Sequence, residues 1–184
     1  MGGWLGVGYG VTYRGVEGLA MGPRLTLGLE VTTPRIWAYG LLLEGRLVEP
    51  SRFERSTLSI QTSGARTVLA AFVESRIGRE ISLLFEIGAG LDINHYVPLS
   101  STSDAMAPSR GDTDYQPFVT PALRVFATGV VDFGFGVHLD VLPATTRYLT
   151  ASDEGATHVV GKPRHVQPGL DLVLRWPGHV SVTR

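Results

Sequence analysis

The sequence predicts an all-β fold, an eight-stranded, antiparallel, up-and-down transmembrane β-barrel. Three observations carry the prediction. Eight segments alternate apolar residues with small, polar or charged ones, a period of two that puts the two kinds on opposite faces of a strand. The connectors between the segments are short at one end of the molecule and longer at the other. The charged residues of the segments fall on the small, polar faces and none on the greasy ones. Helical periodicity of any length is absent, and no apolar run approaches the roughly 20 residues of a spanning helix.

The chain has 184 residues and a formal net charge of −1, which leaves no nucleic-acid footprint. It has no cysteine, so disulfides and thiol chemistry are excluded. Its 23 glycines suit crowded strands. After Met1 the chain enters GGWLGVGYG directly, so an exported protein would be seen here in its mature form. We expect one barrel domain over residues 1–177 and a tail over 178–184.

The segments are justified in order. Residues 3–14 set Leu5, Val7, Tyr9, Val11 and Tyr13 against Gly6, Gly8, Gly10 and Thr12. Residues 19–32 set Leu25, Leu27, Leu29 and Val31 against Arg24, Thr26, Gly28 and Glu30. Residues 35–48 set Trp37, Tyr39, Leu41, Leu43 and Leu47 against Ala38, Gly40, Glu44 and Arg46, with Leu42 spoiling the polar face. Residues 65–77 are the least regular. Leu69, Ala71, Val73 and Ile77 oppose Arg66, Ala70, Glu74 and Arg76, but Val68 and Phe72 sit on the polar side.

Residues 80–94 set Ile81, Leu83, Phe85, Ile87 and Leu91 against Ser82, Glu86, Gly88, Gly90 and Asp92. Residues 115–127 set Tyr115, Val119, Leu123 and Val125 against Gln116, Thr120 and Arg124. Residues 131–141, VDFGFGVHLDV, alternate without a fault, with Asp132, His138 and Asp140 on the polar side. Residues 164–176 set Val166, Leu170, Leu172, Leu174 and Trp176 against Gln167, Gly169, Asp171 and Arg175.

The connectors TTPR, RIGR and ATGV are tight, whereas 49–64, 95–114 and 142–163 are long and polar. RGVEG, after the first segment, is short. Short turns at one end and longer loops at the other describe a transmembrane barrel with both termini at the short-turn, periplasmic end. Within 142–163, TRYLT and THVV are placed to extend a hairpin above the membrane. Ten strands remain the alternative if 56–62 or 147–161 enters the membrane.

Small residues on the charged face fit a lumen that holds only side chains. A soluble ligand-binding barrel would reverse the faces, and a soluble sandwich would carry Lys, Glu, Thr and Ser where this chain has Gly and Ala. Trp37, Tyr39, Phe133 and Trp176 fall at the short-turn end and Tyr13 and Tyr115 at the other. Two aromatic levels around an aliphatic band are the expected interface girdles. Trp4 shares the lower level, although its parity points inward.

In these features the chain resembles the small eight-stranded bacterial outer-membrane barrels of the OmpA/OmpX-like group. The resemblance covers nearly the whole chain and is architectural. It implies a monomeric barrel in contact with outer-membrane lipid and lipopolysaccharide, and open to an envelope protein partner. It also implies a role in structure or interaction, or a very narrow gated pore. The C-terminus departs from the group's pattern of a final aromatic residue, because Trp176 is followed by PGHVSVTR. That tail is either natural or the point where a longer protein continues.

The candidate site is the lumen. By strand position Glu30, Glu74, Arg76, Arg124, Asp132 and Arg175 should lie low, Arg24, Glu86, His138 and Asp171 midway, and Glu44, Arg46, Arg66, Asp92 and Asp140 higher. Mixed charges buried together must pair, and the planar fork of arginine suits bridging two carboxylates. The first reading is a structural plug, and the sharper one is a gate that opens by re-pairing. His138 would titrate near neutrality or serve as one hydrogen-bonded member of the plug. A metal site would need His138, Asp140 and Asp171 to converge, and no metal or cofactor is assigned.

Lipid-modifying catalysis is the rival class. His95, Ser100, Ser101, Ser103, Asp104 and His158 stand in the connectors, but no His-x-Ser pairing of the lipid A deacylase kind lies on a strand. We therefore expect no enzyme. Binding through the loops, as in an adhesin, is the third class. The triplet Arg110-Gly111-Asp112 is treated as a chance match.

Overall fold

The computed structural model describes residues 1–15, 18–33, 37–55, 58–101, 112–144, 148–151, 157–161 and 164–178. Its strands are β1 (Gly2–Tyr13), β2 (Leu19–Thr32), β3 (Trp37–Arg55), β4 (Leu58–Ile77), β5 (Ile81–Ser101), β6 (Asp112–Ala127), β7 (Asp132–Val141), β8 (Tyr148–Ala151), β9 (Thr157–Gly161) and β10 (Val166–Gly178). Eight of them close a barrel in the order β1-β10-β7-β6-β5-β4-β3-β2, each antiparallel to its neighbours. Strands β8 and β9 pair only with each other.

The wall therefore has eight strands and not ten. Leu58–Thr62 lengthens β4 instead of adding a strand, and Tyr148–Ala151 and Thr157–Gly161, within the expected hairpin region, form a small separate hairpin. No helix among the described residues is long and apolar enough to cross a membrane, which says nothing about crossing by strands.

Two connectors are shorter than the sequence suggests. Residues 49–64 continue the β3–β4 hairpin up to Arg55 and Leu58, with a register shift between Val48 and Ser51. The shift spans Glu49 and Pro50. A proline cannot donate to a ladder, and the pair reads as a turn until the bulge that absorbs it is seen. Strand β5 likewise runs to Ser101 and β6 starts at Asp112, so His95, Ser100 and Ser101 belong to a strand. Ser103, Asp104, Arg110 and Gly111 lie outside the described residues, as does 179–184 of the tail.

Burial follows the alternation. Along β7 every residue from Asp132 to Asp140 on the polar side is buried, and every one from Phe133 to Val141 on the greasy side is exposed. Trp37, Tyr39, Phe133, Trp176, Tyr13 and Tyr115 all point outward. Trp4 follows its parity and lies inside, edge-on to Phe72 with ring centroids 6.2 Å apart. Gly28 faces it across the β1–β2 ladder, and a Cβ there would sit 2.1 Å from the indole. That glycine is the space in which the ring lies.

The outward band yields a test. Ile87 is 56% exposed in mid-wall. Ile87→Arg should cost about 2–4 kcal/mol of unfolding free energy in lipid vesicles if it faces hydrocarbon. Denaturant titration in vesicles reads this directly, and a near-zero cost would remove the lipid-facing assignment.

Candidate functional site

The inward faces meet in a filled lumen with three charged levels. At the short-turn end Arg175 is the centre. Its Nη1 and Nη2 donate to the two oxygens of Glu74 at 2.7 and 2.8 Å, and its Nε donates to Asp132 at 2.9 Å. The guanidinium also stacks 4.2 Å from the ring centre of Phe126 and 5.5 Å from that of Trp4. One planar cation thus holds two carboxylates and two aromatic rings, which an ammonium group cannot do.

Midway up, Arg124 donates to Glu86 and, at 3.2 Å, to Glu44. Arg24 bridges Glu44 and Asp171, the latter at 2.5 Å. Arg46 donates to Asp171 and to Thr12 Oγ1, both at 2.9 Å. His138 lies with Nδ1 3.1 Å from Asp171 and Nε2 3.0 Å from Thr12 Oγ1. Gly169 makes room for it, since a Cβ there would come within 2.1 Å of the imidazole.

Nearer the long-loop end Arg66 joins Asp140 and Asp92, the latter at 3.1 Å, over the ring of Phe118. Arg14 reaches down to Asp92 at 2.7 Å and Asn94 at 2.6 Å.

Of the fifteen charged positions expected inside, thirteen are buried. Glu30 is half-buried and Arg76 exposed. They line a cavity of about 340 Å³ at the short-turn mouth instead of joining the paired groups. Arg124 and Glu44, expected low and high, meet in the middle. The tilt of the strands shifts each one along its neighbour, and counting residues from the turns ignores that shift.

Two features were missed. Arg14 continues the parity of Thr12 and is legible as inward, although it opens the connector RGVEG. The lumen also carries an apolar cluster that includes Trp4, Leu42, Phe72, Leu84, Phe126 and Val173. It separates the Arg175 group from the arginines above, and no ion pair joins the two among the described residues. Leu42 and Phe72, which spoil the alternation in the sequence, belong to this layer.

His138, Asp140 and Asp171 do converge, yet their carboxylates are held by Arg66, Arg24 and Arg46. Thr12, His138 and Asp171 stand in the order hydroxyl, imidazole, carboxylate. Arg46 already donates to that hydroxyl, and the void beside His138 is about 10 Å³. Such a space holds about one water molecule and no substrate.

The pairing predicts its own energetics. Arg124→Met leaves Glu86 buried without its cation and should cost about 3–5 kcal/mol. Adding Glu86→Leu should recover most of that loss, because Glu44 keeps Arg24. A double-mutant cycle by denaturant unfolding in detergent micelles measures this, and additive losses would show that the two do not act as a pair.

No family model matches the chain, and no curated protein matches its sequence. Solved structures do. Ail, the attachment invasion locus protein of Yersinia pestis, is 14% identical, with 96% of this chain and 97% of Ail covered and a TM-score of 0.55. Another Ail crystal structure holds the heparin analogue sucrose octasulfate. Neisserial surface protein A is 11% identical, with 95% and 96% covered and a TM-score of 0.53. A major outer membrane protein from Thermus thermophilus is 9% identical, with 95% and 98% covered and a TM-score of 0.56. At these identities the likeness is one of fold, and the chain has the closed architecture of the small eight-stranded outer-membrane β-barrels.

Proposed function

We propose that the protein is a sealed barrel of the bacterial outer membrane, with both termini periplasmic, whose role is structural and interactive. The observation that carries this reading is the filled lumen. Three levels of arginine–carboxylate pairs and an apolar layer between them leave a central void of only about 10 Å³. Opening a water path would require breaking buried pairs and also wetting the layer around Trp4, Leu42 and Phe72. The gate reading needs both, whereas the plug needs neither.

With the interior closed, interaction falls to the outer rim. Strands β3 to β6 rise furthest there and carry Glu49, Arg52, His95, Thr113 and Tyr115 on their outward faces. Acid and base are mixed on this surface, so it does not favour a polyanion of the kind held by Ail. Contact with outer-membrane lipid and lipopolysaccharide is the partner the exposed apolar belt supports. No catalytic role is proposed, because the hydroxyl–imidazole–carboxylate array is enclosed.

Two measurements test this. Purified in detergent, the protein should give a β circular dichroism spectrum and should migrate differently on gels before and after boiling. Folded, monodisperse protein without detergent would sink the membrane reading. In planar bilayers it should give no steady channels, and Glu86→Ala should not create them. Channels in the wild type that increase in Glu86→Ala would favour the gate.

A further inference from the structure

The wall of the barrel is not equally bonded all round. Every ladder that crosses the apolar band runs without a gap except that between β6 and β7. There Val119 pairs with Val141 and Ala122 with His138, in one unbroken register, yet the two opposed pairs between them do not form. By that register the unformed pairs are Thr120 with Asp140 and Pro121 with Leu139.

On its other side Leu139 faces Pro168 of β10. A proline therefore stands across from Leu139 on both flanks. A strand residue directs its N–H and C=O to one neighbour, and neither proline has an N–H to give. Whichever ladder Leu139 enters, its carbonyl lacks the usual donor. Directly behind this stretch, on the lumen side, lies the small polar void lined by Thr120, His138, Asp140 and Arg66.

We propose that the β6–β7 seam at Thr120–Pro121 is a built-in point of local opening in the wall, beside the void at His138 and Asp140. The axial routes are closed below by the apolar layer and above by the Arg14–Asp92–Asn94 group with buried Leu142. The seam lies in mid-wall, where Pro121 stands opposite Ile87 of β5. The void is lined by charged and polar groups together with Val68 and is large enough for one water. The proposal goes beyond the sealed-barrel reading and rests on it for the closed axis and for the lipid outside the wall.

Hydrogen exchange on the protein in lipid nanodiscs tests it. Amides of 119–123 and 137–141 should exchange about tenfold faster than those at the same depth in the continuous β4–β5 ladder, around Val68 and Gly90. Pro121→Val or Pro168→Val restores a donor, and at least one of them should slow the exchange of Leu139 and its neighbours. A second readout uses the absence of cysteine. Thr120→Cys should react with a small maleimide faster than Ala70→Cys, a buried inward position on a continuous ladder. Equal exchange at the two seams, or no effect of either valine, would overturn the proposal. Failure of the membrane reading is distinguishable, since it shows first as a folded protein without detergent.

Discussion

Eight strands close around a space too narrow for a column of water and too wide to be left empty, so the inward side chains must satisfy one another. Everything else in this molecule follows from that enclosure. Charges on the inward face cannot be screened by solvent, so they have to be compensated within the same few ångströms. Above the apolar layer Arg14, Arg24, Arg46, Arg66 and Arg124 stand among Glu44, Glu86, Asp92, Asp140 and Asp171, five cations among five anions. Most of these groups touch two partners, so each is held even as one contact stretches. Arginine fits this duty because its fork reaches two carboxylates at once.

The same enclosure explains the outer surface. Once the polar residues are turned inward, every other residue is turned out, and the exposed face is leucine, isoleucine, valine and phenylalanine. In water such a surface would be an association hazard far larger than an ordinary apolar patch. Between two aromatic levels it is the surface a bilayer requires. The inward glycines belong to the same account. Gly28 and Gly169 hold no side chain because Trp4 and His138 occupy that space.

Much of this was legible in the residues. A period of two is local, so the strands, the closed count of eight and the inward side of thirteen of the fifteen charged positions follow from the sequence. Levels within the lumen did not follow, because the stagger between tilted strands is a property of the closed barrel and not of any one segment. Arg124 and Glu44 show this: they come from strands that do not pair, β6 and β3, and meet only across the lumen. The hairpin extension past Val48 was hidden by Pro50, which marks a turn in most contexts and a bulge here. The apolar layer was visible only as faults. Leu42 and Phe72 break the alternation of their strands, and their meaning emerges when strands far apart in sequence bring the faults together.

That layer also redistributes where motion is cheapest. A lumen filled by charge alone can in principle be re-paired step by step, each arginine passing from one carboxylate to the next. A disk of Trp4, Leu42, Phe72 and Phe126 offers no such intermediate, since a charge crossing it has no partner on the way. The axis is thereby stiffened, and fluctuation shifts to the wall, whose strength is set by backbone hydrogen bonds. Those bonds depend on sequence only where a residue cannot make them. Two prolines facing one leucine are such a place, and they lie beside the buried histidine. The packing of the core thus decides that, if this barrel yields anywhere, it yields sideways.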